Sequence, residues 1–505
     1  MAKPIMIQGT MSNAGKSFLV AGLCRIFRQD GYRVAPFKAQ NLGLNSYITR
    51  DGLEMGRAQV MQAEAAGIEP DVKMNPVLIK SATHNSSQII VNGEIFTTSG
   101  KTSEEIKGEI TAEVSVAYDD LEKDYDIIVI EGAGSPVEMN IKERDIVNMA
   151  MAELADAPVL LAGDIERGGV FAQLVGTMEL SNKEEKERVK GFVINKFRGN
   201  PENFESGKKF LEERTGVPVT GVIPYADIRL DDEDSLATPD VVNKSEEVVD
   251  IAVIKAPYTA NTTDFTALEI IDGVSVRFID KAGEIGKPDM ILLLGSKNTM
   301  ADLKWMRKSG VEEAVKKHAA SGGTVFGICG GYQMLGMTIS DLRDTEQGGE
   351  MKGMELLPVD TVYETRKIRT RVKGHFLNVT GDLADISKEP LEGYETHMGI
   401  STLRKGAYPF TKIKDNVTGE EKEEGAVNGN VYGTYVHGIF DEKGVGCKIV
   451  SMLAAKKGAE LSETEATSYA AFKEEQYDKL ADTVRNNLDM KKVYELLGIK
   501  KVQKT

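Results

Sequence analysis

Short apolar runs alternate along this chain with amphipathic stretches of ten residues or more, the pattern of parallel strands buried under helices on both faces. The runs Pro4 to Gln8, Arg33 to Phe37, Asp126 to Ile130, Pro158 to Ala162 and Gly191 to Ile194 predict strands of one α/β unit, with Ser17 to Arg28 as an amphipathic helix behind the first. The pattern fails from Arg229 to Glu247, where Asp231-Asp-Glu-Asp has no hydrophobic period, and a solvated linker is expected there. A second α/β series starts at Asp250-Ile-Ala-Val-Ile, continues through Asp289-Met-Ile-Leu-Leu-Leu and Gly323-Thr-Val-Phe-Gly-Ile, and closes near Cys447. Beyond it, Tyr477, Leu480, Val484, Leu488, Val493 and Leu496 follow one another at helical spacing, so a helical tail packed on the body is expected. The chain thus divides into residues 1–235, 248–446 and a helical extension over 447–505.

Its 505 residues leave room for about three such units at ~100–200 residues each. Lys and Arg number 62 against 78 Asp and Glu, a net charge of −16 without a long single-sign block, which argues against a phosphate-neutralising nucleic-acid binder. Neither a signal peptide nor the ~20 apolar residues of a membrane span is present, so no membrane partner is expected. The 3 cysteines, Cys24, Cys329 and Cys447, are too scattered for a disulfide framework, and a reducing cytoplasm is the expected compartment.

Candidate chemistry begins at Gly9-Thr-Met-Ser-Asn-Ala-Gly-Lys-Ser17, between a strand and a helix, where backbone N–H groups and a helix N-terminus would cradle a phosphate. The loop departs from G-x-x-x-x-G-K-[ST], because Thr10 stands at the first glycine position and Gly9 one place earlier. Lys16 would balance the β- and γ-phosphates and the Ser17 hydroxyl would help hold Mg²⁺. Glu131, at the carboxyl end of a strand, is either a second Mg²⁺ ligand or a capping acid. Lys38 also ends a strand, as a charge stabiliser or a surface lysine.

Cys329 directly follows an apolar strand and precedes Gly330-Gly331, which open a helix. That is the logic of a nucleophile elbow, whereas Cys24 and Cys447 take the ordinary structural role. A thiol nucleophile needs a base. Among 5 histidines, His437 ends the strand-like run from Val431 and is the leading candidate, with His397 as competitor. His84, His318 and His375 lie in polar contexts and are expected to be solvated.

Together these residues resemble the cobyric acid synthase family, over nearly the whole chain. The likeness is carried by the loop from Gly9, by Lys38-Ala-Gln-Asn-Leu-Gly-Leu-Asn-Ser, Gly56-Arg-Ala-Gln, Met74-Asn-Pro-Val-Leu-Ile-Lys and Glu131-Gly-Ala-Gly-Ser-Pro, by Asp164-Ile-Glu-Arg-Gly-Gly, Asn195-Lys-Phe-Arg-Gly and Gly295-Ser-Lys-Asn-Thr, and by the segments around Cys329 and His437. The resemblance implies an N-terminal P-loop domain similar to dethiobiotin synthetase, followed by a class I glutamine amidotransferase domain. It implies ATP- and glutamine-dependent amidation of the b, d, e and g carboxylates of a corrinoid, adenosylcobyrinic acid a,c-diamide, through acyl phosphates. Carried over, Cys329 is the nucleophile and His437 its base; Thr10, Asn13, Ala14, Gly15, Lys16, Ser17 and Lys38 hold ATP; Ser17 and Glu131 hold Mg²⁺; and the backbone at Gly295 and Gly330 forms the oxyanion hole.

Two departures stand out. Ile439 occupies the place, two residues after the histidine, where triad amidotransferases carry a glutamate, so the pair acts as a dyad or borrows an acid from elsewhere. Leu294 precedes Gly295 where a proline is expected. Other readings are cobyrinate a,c-diamide synthase, a cell-wall precursor amidase of the same architecture, and a partition-type nucleotide switch. The switch carries a lysine early in its loop, where this chain has Met11, Ser12 and Asn13, and has no use for Cys329.

Overall fold

The first apolar runs do become neighbouring strands. In the computed structural model, which describes residues 1–43, 45–83, 86–98, 100–230, 248–442, 444–459 and 468–499, six strands form one parallel sheet. Their order across it is Val219–Pro224, Val189–Phe197, Val159–Asp164, Lys3–Gly9, Ile127–Glu131, Val34–Phe37. Successive residues of a strand face opposite sides. Met6, Ile128 and Ile130 therefore enter one core, while Ile5, Ile7 and Val129 enter another beneath helix Lys16–Gln29. Most of the expected linker, residues 231–247, and His84 lie outside the described residues.

Segment 40–95 carries two small sheets, one in the order Gln40–Leu42, Val77–Thr83, Ser86–Val91, Glu94–Ile95 and one pairing Ser46–Ile48 with Glu54–Gly56. The second unit has five parallel strands, Val274–Ile279, Val249–Ile254, Met290–Leu293, Thr324–Ile328 and Val431–Thr434, with Ala426–Asn428 antiparallel at the edge. The sequence between its last two parallel strands, which pair with each other, forms a separate sheet built on the long pair Val359–Phe376 and Pro390–Leu403.

The tail divides its packing. Helix Val445–Lys456 sets Ile449, Val450 and Leu453 into the core of the second unit. Helices Tyr469–Asn487 and Met490–Leu497 return to the first unit and cover helix Lys16–Gln29 with Tyr477, Leu480, Val484 and Val493. Leu497 is buried there, and Leu496 only half-buried. Ion pairs fix the return: Arg25 with Asp478 at 2.8 Å and Arg485 with Asp30 at 3.0 Å. Leu480→Ala is expected to weaken this covering by about 2–5 kcal/mol. Faster amide exchange in helix Lys16–Gln29, with strand Met290–Leu293 unchanged, checks it.

Candidate active site

The strand Lys3–Gly9 hands its chain to the helix Lys16–Gln29 through a loop whose last residue, Gly15, has φ 86°. A Cβ at Gly15 would lie 2.1 Å from Asn195 Nδ2, so only glycine fits. Asn195 Nδ2 donates to the Ala14 carbonyl at 2.9 Å and Lys196 Nζ to the Asn13 carbonyl at 2.7 Å, fastening the loop to strand Val189–Phe197, two places along the sheet. Thr10 Oγ1 donates to Gln173 Oε1 at 2.8 Å, and Lys16 Nζ folds back to the Met11 carbonyl at 3.1 Å. Asp164 holds Lys196 at 3.0 Å, and Asp145 accepts from the backbone N–H groups of Val147, Asn148 and Ala150, so both brace the cleft walls.

Glu131 ends its strand fully buried. Its Oε1 accepts from Ser17 Oγ at 2.8 Å and Lys38 Nζ at 2.7 Å, and its Oε2 accepts from Gln62. Burial works against the carboxylate, but Lys38, helped by Lys16 and Gln62, holds its pKa below the usual range. Lys38 is therefore a buried partner of the acid and not a surface lysine. A cleft of about 760 Å³ opens here, lined among others by Asn13, Lys16, Lys38, Asn41, Ser135 and Arg144. The hydroxyl and carboxylate oxygens of Ser17 and Glu131 are the hard donor set that Mg²⁺ takes when phosphate and water complete its shell. No group of three or more His, Cys, Asp or Glu suited to a metal occurs among the described residues.

In the second unit Cys329 lies between strand Thr324–Ile328 and helix Gly330–Leu335 at φ 53°, ψ −107°. A positive φ strains any residue but glycine, and here the Cys329 N–H bond to the Thr434 carbonyl, 2.8 Å, and the Gly331 N–H bond to the Leu294 carbonyl, 3.0 Å, hold it. Gly330 must lack a side chain, because a Cβ would stand 2.7 Å from the Ser296 nitrogen. Lys297 N–H bonds to Tyr258 O in the short ladder of Gly295–Ser296 with Thr259–Ala260, and by the alternation of such a ladder the Ser296 N–H points away from it, toward Gly330. Leu294 in place of proline thus leaves the turn intact.

His437 follows the strand Val431–Thr434, and its ring faces Cys329 across Gly295: a Cβ there would stand 3.4 Å from His437 Cε1 and 3.9 Å from Cys329 Cβ, while Cys329 Sγ itself meets the Thr396 carbonyl at 3.8 Å. Its Nδ1 lies 2.7 Å from Asp264 Oδ2, and Asp264 Oδ1 accepts from the Gly438 N–H at 3.1 Å. The acid missing at Ile439, which is buried in the core, is supplied by Asp264 from the turn 261–264. Burial disfavours the imidazolium, but Asp264, with Cys329, outweighs it and raises the His437 pKa to about 10.

His397 is committed elsewhere. Its Nδ1 bonds to the Gly399 carbonyl at 2.7 Å and its ring stacks on Tyr435 at 3.7 Å. His318 is half-buried with Nε2 3.2 Å from the Thr324 carbonyl, so it is not solvated as expected; His375 is exposed.

Asp264→Asn is expected to lower the hydrolysis of an amide donor on the order of 10²–10⁴-fold, the range for loss of an orienting carboxylate. Burial would then act on the ring without its counter-charge, so the His437 limb of a kcat/KM profile should move down from about pH 10. A pH series of glutamate release from glutamine checks both effects.

A CobQ/CobB/MinD/ParA nucleotide binding domain matches residues 5–236, and a CobB/CobQ-like glutamine amidotransferase domain matches residues 250–445. Cobyric acid synthases of Ruminiclostridium cellulolyticum and Lachnoclostridium phytofermentans are 51% and 50% identical to it over 98% of its length, covering 97% and 99% of theirs. The chain belongs to the cobyric acid synthase family. A third member of the family, from Clostridium acetobutylicum, is 48% identical over 98% of this chain and 99% of its own.

In this member of the cobyric acid synthase family, segment 40–95 of the nucleotide-binding unit forms much of the face against the amidotransferase unit. Asn45 Oδ1 accepts from the Asn261 N–H at 2.9 Å, three residues before Asp264. Tyr394 OH donates to the Ser46 carbonyl at 3.2 Å, and its ring stacks on His437 at 5.1 Å. Arg369 bonds the Gly93 carbonyl and the Glu94 carboxylate. Buried Glu54 takes Lys80 from its own unit and Lys367 from the other at 2.8 Å. Burial opposes its charge, yet Lys367, Lys80 and Lys297 hold its pKa well below the usual value, while Lys80 and Lys367 are each pushed down to about 8 by burial against the pull of Glu54. Among the described residues no helix is long and apolar enough to cross a membrane.

Proposed function

We propose that the protein makes adenosylcobyric acid by amidating the b, d, e and g carboxylates of adenosylcobyrinic acid a,c-diamide, with ATP as activator, glutamine as nitrogen donor and Mg²⁺ as cofactor. The observation that carries this reading is the pair of sites: a Cys329–His437–Asp264 constellation in one unit and a Lys16–Ser17–Lys38–Glu131 constellation in the other, joined through segment 40–95. The cytoplasm, where its three free thiols stay reduced, is the compartment that suits it.

With its proton already carried on the His437 imidazolium, Cys329 Sγ adds to the side-chain amide carbon of glutamine. The oxyanion faces the N–H groups of Gly330 and, in place of the expected Gly295, of its neighbour Ser296, because the alternation of the ladder turns the Gly295 N–H toward Ala260. Asp264 holds the imidazole and its charge, and His437 returns the proton to the nitrogen as the C–N bond breaks and ammonia leaves. Water then cleaves the γ-glutamyl thioester to glutamate and free thiol.

In the other unit a substrate carboxylate oxygen attacks the γ-phosphorus of ATP, ADP leaves, and ammonia displaces phosphate from the resulting acyl phosphate. Lys16 and Lys38 balance charge that builds on the phosphoryl oxygens. Ser17 and Glu131 would hold Mg²⁺, which when bound would supply further charge neutralisation on the phosphates. Segment 40–95 lines both sites, the nucleotide cleft through Gln40, Asn41 and Leu42 and the cavity beside Cys329 through Lys80 and Gln88, so it is where a passage keeping ammonia from water would run.

Mass spectrometry of the corrinoid after incubation with ATP, Mg²⁺ and glutamine tests the reading. Four amidation steps from the a,c-diamide are expected. No mass change with that acceptor, but two steps from cobyrinic acid, would assign the diamide synthase, and ATP hydrolysis without glutamate release would assign a nucleotide switch.

A further inference from the structure

The cavity beside Cys329 is not built by the amidotransferase unit alone. It encloses about 150 Å³ and is lined by Ser296, Lys297, Cys329 and Glu346 of that unit together with Lys80 and Gln88 of the nucleotide-binding unit. That volume is far below the ~300–1,000 Å³ of sites for drug-sized ligands, so it suits a small molecule. Lys367, from the long strand Val359–Phe376, lines it too.

Around this cavity three ammonium groups meet two described carboxylates: Glu54, which bonds Lys80 and Lys367, and Glu346 of the lining, whose pKa burial pushes up to about 8, so that it offsets little of the positive charge. Lys80 also donates to Ser46 Oγ at 2.8 Å. Lys297 has no carboxylate at ion-pair distance among the described residues; it neighbours the Lys80 ammonium and lies within electrostatic reach of Cys329. Burial, with Lys367 beside it, lowers its pKa. Positive charge in excess of its partners, held out of water, is costly unless an anion joins it. Glutamine brings one such group, an α-carboxylate three carbons from the amide that Cys329 attacks.

We infer that Lys297, with Lys80 reaching across from the nucleotide-binding unit, binds the α-carboxylate of glutamine, so that the donor site is complete only while the two units are docked. The inference rests on the glutaminase reading above. It ties donor binding to the other reaction through the chain itself: Ser46 and Glu54, which hold Lys80, follow closely on Gln40, Asn41 and Leu42, which line the nucleotide cleft.

The test compares two donors in one enzyme preparation supplied with ATP, Mg²⁺ and the corrinoid: glutamine, and 4-aminobutanamide, which is glutamine without its α-carboxylate. Release of glutamate and of 4-aminobutyrate gives a ratio of kcat/KM values that does not depend on how much of the preparation is folded. The wild type is expected to prefer glutamine strongly. Lys297→Met and Lys80→Met should each reduce that preference roughly tenfold or more, the size of one lost charge-assisted hydrogen bond, mainly through KM for glutamine. Lys297→Arg should restore most of it. An unchanged preference in Lys297→Met overturns the carboxylate assignment, and an unchanged preference in Lys80→Met overturns the contribution from the other unit, both with the glutaminase reading intact. No glutamate from the wild type overturns that reading and this inference together.

Discussion

Cys329→Ser is expected to stop amidation supported by glutamine, by a factor of about 10³ or more, while amidation supported by high ammonium continues near the wild-type rate. Serine keeps nearly the volume of cysteine and the same strained backbone between strand and helix, so the elbow is not disturbed. What is lost is the thiolate; a hydroxyl at this place is too weak an acid for His437 to ionise as readily. The acyl phosphate chemistry belongs to other residues, around Glu131, and ammonia from bulk solution still reaches it. Product mass spectra with each nitrogen source decide the matter. Loss of both activities would show that the two sites do not work separately.

Lys16→Ala should produce the opposite split. Amidation from either nitrogen source is expected to fall about 10²–10³-fold, the cost of removing one preorganised charge from a phosphoryl transition state, while glutamate release persists. Lys16 is buried over the loop, with Nζ at the Met11 carbonyl. Unchanged ATP-dependent amidation in this variant would remove the phosphate-loop assignment. Read together, the two variants also test the pairing of sites, because each disables one reaction and spares the other.

The parallel strands of both units were legible because each is a continuous apolar run, and the loop from Gly9 and the turn at Cys329 because glycine and a strand end leave few alternatives. Asp264 was not. It stands 173 residues from His437, in a polar turn whose local pattern is that of a solvated loop, and only the fold brings the two within 2.7 Å. It lies ten residues past the strand Val249–Ile254, too far for a strand-end position to single it out. Lys38 was ambiguous for a related reason: a lone lysine at a strand end reads as exposed until Glu131 is seen to be buried beside it.

The long strand Val359–Phe376 also escaped the pattern. Lys367, Arg369 and Arg371 give its sequence the look of a solvated segment, yet they meet Glu54, Glu94 and Tyr47 of the other unit. Polar residues that pair across an interface erase the period on which strand prediction depends. The tail was readable as helices but not in its division, since the same apolar stripe serves either core.

The return of the last helices has a consequence for how the protein is born. A ribosome completes the strands and phosphate loop of the leading lobe long before it makes residues 469–497, yet Leu23 and Phe27 of that lobe are covered by those residues. Until they emerge, the nascent lobe carries an oily flank, a transient hazard for clumping that chaperones exist to contain. The first part translated is thus the last part sealed, and a polypeptide cut short before that point would not simply lack an appendage: it would leave the nucleotide-binding machinery without one of its walls.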